Sequence, residues 1–505
     1  MDQMLDELRT IHAEVSDLQG AASALYWDKE TYLPPGGLES RVDQLGTLER
    51  LAHERLTAPR VGELLDGLEA RPGGWEAGAP EEALVRVTRR DFDLERRIPA
   101  SLVEEIARAG AEARPVWVEA RRRSDFSMFA PHLARNVDIS RRIAEAIGYQ
   151  RRPYDALLER TEPGITTTAV EAIFAEIKEA VLPMLRQIAA RPRAVDDSFL
   201  RREFDQHAQI VFSLRAAAEL GYDLERGRLD LSAHPFTITI GPGDVRITSR
   251  VRKDYWPDCF FSTLHEAGHG MFGQGIDPAL GRTLLFHASS PGVNESQSRL
   301  WENLIARSRA YWRFKFTHLR AAFPAQLAGV GTEAFYRAVN RVEPTYIRTD
   351  ADELTYNLHV MIRFDLENDL LEGRLQAADA REAWNAKVEE YLGLPPPPDA
   401  DGILQDVHWS HGDALGSFTS YTIGNVIGAQ LMKTLQEEVP DLQDRVAGGD
   451  LTMVQAWMAE NVHRPGRTVT PTELVERTTG APIGARAWID YVRRKFGEIY
   501  EMNLD

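Results

Sequence analysis

The 505-residue chain holds a single cysteine, Cys259. No intramolecular disulfide can staple such a chain, and a lone thiol fits a reducing cytosol. Nowhere is there an uninterrupted apolar run of the ~20 residues that a transmembrane helix needs. The opening residues Met1-Asp2-Gln3-Met4-Leu5-Asp6-Glu7 lack the basic start and apolar centre of a signal peptide. A cytoplasmic location is therefore expected. Positive charge is also short: 59 lysines and arginines face 77 aspartates and glutamates, a formal charge of −18. That balance argues against a general nucleic-acid or anionic-membrane surface, though not against a local basic pocket. Internal repeats and low-complexity tails are absent. What is present is 43% hydrophobic and 27% charged residues, the composition of a globular protein with a large core. Collagen-like and disordered classes are excluded.

Most of the sequence reads as helix. Residues 1–57 carry helical apolar spacing, broken at Leu33-Pro34-Pro35-Gly36-Gly37. Arg71-Pro72-Gly73-Gly74 is a second break, followed by segments rich in Ala, Leu, Glu and Arg. The one clear strand signal is Phe236-Thr237-Ile238-Thr239-Ile240, then Gly241-Pro242-Gly243-Asp244, then Val245-Arg246-Ile247-Thr248. Alternating β-branched residues around a Gly-Pro-Gly turn predict a hairpin. Pro395-Pro396-Pro397-Pro398-Asp399 predicts an extended spacer. The length prior of about 150 residues per domain suggests three domains. The patterning instead predicts one mostly α-helical unit with a small sheet, for which a cleft into lobes is the natural division.

The strongest local signal is His265-Glu266-Ala267-Gly268-His269. Histidines four apart share a helix face, so both rings can reach one ion. Glu266 stands beside the first of them and could accept a proton from a metal-activated water. Such a site needs a third protein ligand. Asn294-Glu295-Ser296-Gln297-Ser298-Arg299-Leu300-Trp301-Glu302 begins just after a Ser-Ser-Pro-Gly break, which puts Glu295 near a helix start. Glu302 lies one helical repeat later, as ligand or as a support for one. Spacing alone leaves the choice between them open, and a solvated surface is the usual fate of either.

Three further clusters stand out. Asp244, Arg246 and Thr248 share one face of the second hairpin strand. The hairpin could offer an edge to an extended peptide, or simply hold a structural Asp–Arg pair. Arg348, between a turn and a helix, has the fork that binds a carboxylate through two hydrogen bonds. Asp350, Asp352 and Glu353 after it read as acidic residues of a helix start, and His359 as a core histidine. Gly402-Ile403-Leu404-Gln405-Asp406-Val407-His408-Trp409, leading through Ser410-His411-Gly412 to Tyr421, reads as a site-lining loop or as a loop packed by Trp409.

Taken together, these residues resemble the carboxypeptidase Taq family of metallocarboxypeptidases. The resemblance runs over most of the chain. It includes Trp27-Asp28, Tyr32-Leu33-Pro34, Gln44-Leu45, Ala52-His53-Glu54, His234-Pro235-Phe236, Asp244-x-Arg246-x-Thr248, the histidine motif and Glu295-Ser296-Gln297. It continues through Ile347-Arg348, Ala351-Asp352-Glu353, Thr355-Tyr356-Asn357-Leu358-His359 and Gly402-x-x-Gln405-Asp406-x-His408-Trp409. The resemblance implies a mostly α-helical, saddle-like metallopeptidase fold with a deep groove and a small β-sheet, similar to neurolysin and angiotensin-converting enzyme. Residues 1–505 would form one catalytic domain, with lobes flanking the groove.

The implied activity is removal of single residues from peptide C-termini with broad specificity. The cofactor would be one divalent ion, Zn2+ or alternatively Co2+, and the assembly a homodimer. The family's metal ligands fall on His265, His269 and Glu295, and its general base on Glu266. That settles Glu295 over Glu302. In the mechanism this implies, His408 or Tyr421 donates hydrogen bonds to the oxyanion. Arg348 grips the substrate's free carboxylate, and Arg246 and Gln405 are further substrate contacts. Two positions depart from the family pattern. Asn294 stands where a histidine is common, and Ser417 where the first tyrosine of Gly-Tyr-Phe-Pro is usual. The alternatives are an endo-oligopeptidase or dipeptidyl carboxypeptidase on the same scaffold, and a catalytically silent metal or peptide-binding protein. Glu266 argues against the silent protein, because a structural site needs ligands but no base.

Overall fold

Helices run from Asp2–Thr31 to Arg486–Tyr500, as the apolar spacing predicts. The computed structural model describes residues 2–504 apart from 72–73, 77, 192–194 and 414, with only the backbone of Asp2. The break at Leu33–Gly37 is a 3-10 turn at Pro35–Gly37 between the helices Asp2–Thr31 and Leu38–Leu56. Of the second predicted break, Pro72 and Gly73 lie outside the described residues. Pro59, Pro153, Pro291 and Pro471 each open a helix, where a missing amide proton leaves no bond unmade. Helix Ala380–Leu392 stops at Gly393, which takes the left-handed conformation at φ 67°, and the proline run follows without helix. Among the described residues, no helix is long and apolar enough to cross a membrane.

The chain folds as two compact units. One comprises Met1–Glu95, Asp196–Val339 and Ile427–Pro482, and the other Arg96–Val195, Asn340–Val426 and Ile483–Asp505.

The first unit contains a three-stranded sheet: β1 (Leu229–Leu231), β2 (Thr237–Gly241) and β3 (Asp244–Ser249), in the order β1-β3-β2. β2 and β3 are the predicted hairpin, antiparallel with Thr237 opposite Ile247 and Thr239 opposite Val245. β1 pairs parallel with β3. It has three residues, too few to show a strand period, and no expectation covered it. Val245 and Ile247 are buried, whereas Asp244 and Arg246 on the opposite face are partly exposed.

Beneath the sheet runs the histidine helix, Trp256–Gly275. It is buried almost all round, apart from one polar stripe at helical spacing, Asp258, Ser262, His265 and His269, which is partly exposed. Its first turns are fixed by aromatic packing. Trp256 stacks on Phe260 at 4.8 Å, Phe260 meets Trp312 at 5.6 Å, and Trp312 meets Phe335 at 4.5 Å. Its later turns are fixed by close approach. A Cβ on Gly273 would stand 2.9 Å from Thr239 Oγ1 and 3.2 Å from Val245, so the sheet lies directly on the helix. A Cβ on Gly268 would stand 2.7 Å from both Gln297 O and Ser298 Cα, backbone atoms of the glutamate helix Pro291–Arg299. Glycine inside a helix costs about 1 kcal/mol against alanine, and here it is the condition for contact.

The second unit is built around helix Tyr356–Leu371, buried along nearly its whole length. Among its buried side chains are two ionisable groups of opposite charge four residues apart, Arg363 and Glu367. Ahead of this helix, Asp352 accepts from the Leu354 and Thr355 amides at 2.9 and 3.1 Å and so holds the turn, while the first turn of the helix has no acidic residue. Glu353 pairs with Lys495 at 2.5 Å, and His359 is buried in the core.

Gly268→Ala should destabilise the protein by about 3 kcal/mol, because the obstructing atoms are backbone and cannot swing aside. Guanidinium unfolding of the metal-free protein measures this. An unchanged midpoint would mean that the two helices can part without loss.

Candidate active site

His265 and His269 project from the same face of the histidine helix, one turn apart, with ring centroids 5.0 Å from each other. The glutamate helix starts at Ser290, whose hydroxyl accepts from the Val293 amide. That start sets Glu295 one turn inside, opposite the histidines. Glu295 Oε2 lies 3.3 Å from His269 Nε2 and 3.8 Å from His265 Nε2. One ligand atom from each of His265, His269 and Glu295 falls within 4.8 Å of the other two. Burial alone would raise the Glu295 carboxyl, but Arg299 and the two histidines outweigh it and hold it well below the usual carboxylate range.

Glu302 is drawn to the same cluster by another route. After Arg299 the helix widens into a π-helical turn, Leu300–Ala306, a geometry frequent at functional segments. Glu302 stands in that turn, and its Oε2 lies 3.0 Å from His265 Nδ1. An acceptor there keeps the proton on Nδ1 and turns the Nε2 lone pair toward Glu295. Arg299 ties both glutamates together, donating from Nε to Glu295 Oε1 at 2.7 Å and from Nη1 to Glu302 Oε2 at 3.2 Å. Arg307 reaches Glu302 Oε1 at 3.3 Å. Burial raises the Glu302 carboxyl, yet His265, Arg299 and Arg307 bring it down to about 2. The buried Nδ1 of His269 lies beside the Asn294 side chain, so the departure from the family pattern falls directly behind a ligand candidate.

These residues fit a divalent ion. Two imidazoles and a carboxylate converge, and three protein donors leave a tetrahedral position open. The carboxylates of Glu266, Glu295 and Glu302 against the guanidiniums of Arg299 and Arg307 leave one negative charge to attract a cation. Glu266 is buried beside the histidines. Its Oε2 accepts from Thr237 Oγ1 at 2.6 Å.

The second unit gathers the other candidates. Asp406 Oδ1 accepts from Arg348 Nε at 3.2 Å and Nη2 at 3.0 Å, and its Oδ2 accepts from Arg363 Nε at 2.7 Å and Nη2 at 2.5 Å. Arg348 also donates from Nη1 to the Tyr356 hydroxyl at 2.9 Å, and it is buried. Its guanidinium lies 4.8 Å from the Tyr421 ring centre. Gln405 is fully engaged: Oε1 accepts from the Arg348 amide at 2.8 Å, and Nε2 donates to Tyr346 O and Asp401 O, each at 2.9 Å. His408 packs against Phe418 at 4.5 Å. Burial, against the pull of Asp406, lowers its imidazole to about 4, so it is neutral at pH 7. The loop is also strapped to the buried helix. Glu367 accepts from Trp409 Nε1 at 2.8 Å, Gly416 N at 3.1 Å and the Tyr154 hydroxyl at 2.9 Å. Burial nonetheless pushes its carboxyl up to about 7.

The sequence candidates thus fall into separate places. His265, Glu266, His269 and Glu295 come together in the first unit, and Arg348, Gln405, His408 and Tyr421 in the second. Arg246 is in the first unit, on the sheet. There it forms the Asp–Arg pair, with bonds of 2.7 and 2.6 Å to Asp244, and lies 4.6 Å over the Trp27 ring. Arg299 was legible as a helix pair, four residues beyond Glu295 and three before Glu302. Thr237 and Arg363 carried no signal, since each is recruited across elements, and Arg307 is brought to Glu302, five residues back, by the π-helical turn.

Two histidines and a glutamate from consecutive helices, with a further carboxylate beside them, define a metal-dependent hydrolase. The family model of the carboxypeptidase Taq (M32) metallopeptidases matches residues 7–496. Thermostable carboxypeptidase 1 of Thermus thermophilus is 39% identical over 497 residues, covering 96% of this chain and 97% of that protein. Carboxypeptidase 1 of Bacillus subtilis is 35% identical over 486 residues, covering 96% of each. The crystal structure of an M32 carboxypeptidase from Deinococcus radiodurans R1 superposes with a TM-score of 0.96 at 42% identity, covering 99% of this chain and 100% of that one. The chain belongs to the carboxypeptidase Taq (M32) family of metallopeptidases. It is a metallocarboxypeptidase, a hydrolase of peptides, with the mostly α-helical fold of that family.

Two outcomes are expected. Glu302→Ala should weaken divalent-metal binding by about 10–100-fold, read by competition with a chromophoric chelator. Affinity equal to that of the unaltered protein would show that Glu302 does not support His265. Glu367 ionises near 7 in the fold against 4.5 ordinarily, so it stabilises the fold below pH ~4.5. That contribution, up to about 3 kcal/mol, fades as the pH rises through 7. Glu367→Gln should flatten this part of the stability–pH curve, and identical slopes would refute the assignment.

Proposed function

We propose that this protein removes residues one at a time from the free C-termini of peptides, with broad tolerance of the terminal side chain. The observation that carries the reading is Glu266: a buried carboxylate beside the ligand set, with Oε2 hydrogen-bonded and Oε1 unpartnered among the described residues. A merely structural metal site has no use for it. His265, His269 and Glu295 hold the ion, for which zinc suits the two-imidazole, one-carboxylate set and cobalt takes the same donors. When bound, the ion supplies Lewis acidity toward the scissile carbonyl and makes water a better nucleophile at neutral pH. Glu266 accepts the proton of the attacking water at Oε1 and passes it to the leaving amine.

Neutral His408 and the Tyr421 hydroxyl serve as donors to the developing oxyanion. Arg348 recognises the terminal carboxylate. Two arginines share the single carboxylate of Asp406, so their cluster has one positive charge in excess, and Arg348 keeps N–H groups beyond those bonded to Asp406 and Tyr356. Gln405 holds the Arg348 backbone, and Arg246 contributes a further cation on the sheet. Residues 1–505 act as one catalytic domain. The lone, buried Cys259 supports a cytoplasmic setting, the charge of −18 supports the absence of nucleic-acid and anionic-membrane partners, and the family resemblance supports a homodimer.

The test is mass spectrometry of one defined peptide and its C-terminally amidated twin, each incubated with zinc-loaded protein. A ladder of single-residue losses from the free peptide alone is expected. Internal cuts in both peptides would replace this reading with an endo-oligopeptidase, and losses in pairs with a dipeptidyl carboxypeptidase. No cleavage of either, with the metal bound, would leave a silent metal or peptide-binding protein.

A further inference from the structure

The carboxylate of Glu266 is anchored from the sheet. Thr237, the first residue of β2, places Oγ1 2.6 Å from Glu266 Oε2 and 2.9 Å from the Glu266 carbonyl oxygen. A hydroxyl has one proton and cannot donate to both. The carbonyl lies mid-helix, where the amide four residues on serves it. The carboxylate is charged, and 2.6 Å is the length of a charge-assisted O–H···O⁻ bond. The proton therefore goes to Oε2. The two oxygens of Glu266 are thereby made unequal: Oε2 is tied, and Oε1 has no partner among the described residues.

The anchor is itself rigid. Threonine is stiff about χ1, because two heavy atoms branch at Cβ. Thr237 pairs with Ile247 on the central strand, and the same face of the sheet is pressed onto the histidine helix where Gly273 meets Thr239 and Val245. Donor and acceptor therefore belong to two elements locked together a turn or two away. An unanchored glutamate turns about three side-chain torsions, and a shift of ~1 Å in a reacting group can lower a rate about 100-fold.

We infer that Thr237 is a positioning residue for peptide hydrolysis, holding Oε2 of Glu266 so that Oε1 is presented to the proton it accepts. This rests on the reading of Glu266 as proton acceptor.

The test uses the full-length, metal-loaded protein and four variants: Thr237→Val, Thr237→Ser, Thr317→Val and Glu266→Gln. Metal affinity is measured alongside kcat and KM. Thr237→Val should lower kcat about 10–100-fold with KM and metal affinity unchanged. Thr237→Ser, which restores the hydroxyl, should recover most of the loss. Thr317→Val, the same change at an exposed position of helix Arg309–Ala322, should leave all three quantities as they were. If Thr237→Val does not fold, Thr237→Ala removes the hydroxyl without a branch and carries the same expectation. The inference is overturned if Thr237→Val keeps its kcat, if its metal affinity falls in step with kcat, or if Thr317→Val loses as much. Glu266→Gln separates the two layers. Retained turnover there removes the proton acceptor itself. Lost turnover there with full turnover in Thr237→Val removes only the role of Thr237.

Discussion

The site depends on how closely two backbones approach. The histidine helix and the glutamate helix touch at Gly268, where even a methyl group would stand 2.7 Å from main-chain atoms of its neighbour. Glutamate has a short reach, and Glu295 comes within 3.3 Å of His269 only because nothing separates the helices. The residue between Ala267 and His269 is thus part of the geometry that brings Glu295 to the histidines, although its own side chain touches neither. The aromatic packing at Trp256 and the sheet contact at Gly273 hold the same helix from either end, so that its histidine-bearing middle has little freedom.

Charge is arranged with similar economy. Buried carboxylates repel one another unless cations lie between them. Arg299 lies between Glu295 and Glu302, and Arg307 adds to it, so both glutamates stay ionised in a buried setting. The second unit inverts the pattern, with one carboxylate, Asp406, between two arginines. The first arrangement retains a negative charge and the second a positive one, as suits a cation in one place and an anion in the other.

Local signals carried much of this. Helical spacing, the Gly-Pro-Gly hairpin and the His-Glu-x-x-His pattern are all written within a few residues, and the structure has the corresponding elements. The Ser-Ser-Pro-Gly break located the start of the glutamate helix because capping is a local event. Choosing between Glu295 and Glu302 was beyond spacing, since residues seven apart share a helix face. The structure puts one on the Nε2 side and the other on the Nδ1 side of His265. β1 escaped because three residues have no period. Thr237, Arg363 and the strapping of the Trp409 loop to Glu367 escaped because each is a contact between segments far apart in the chain.

The π-helical turn at Leu300–Ala306 has a consequence for how this site tolerates insertions and deletions. A π-turn is in effect an α-helix carrying one surplus residue, and each residue of an α-helix advances the next by about 100°. Were the surplus lost, everything after the turn would rotate by roughly that angle while every side chain kept its identity. Arg307, which follows the turn, is thus in place by virtue of a residue count, a property that comparison of side chains position by position would not register.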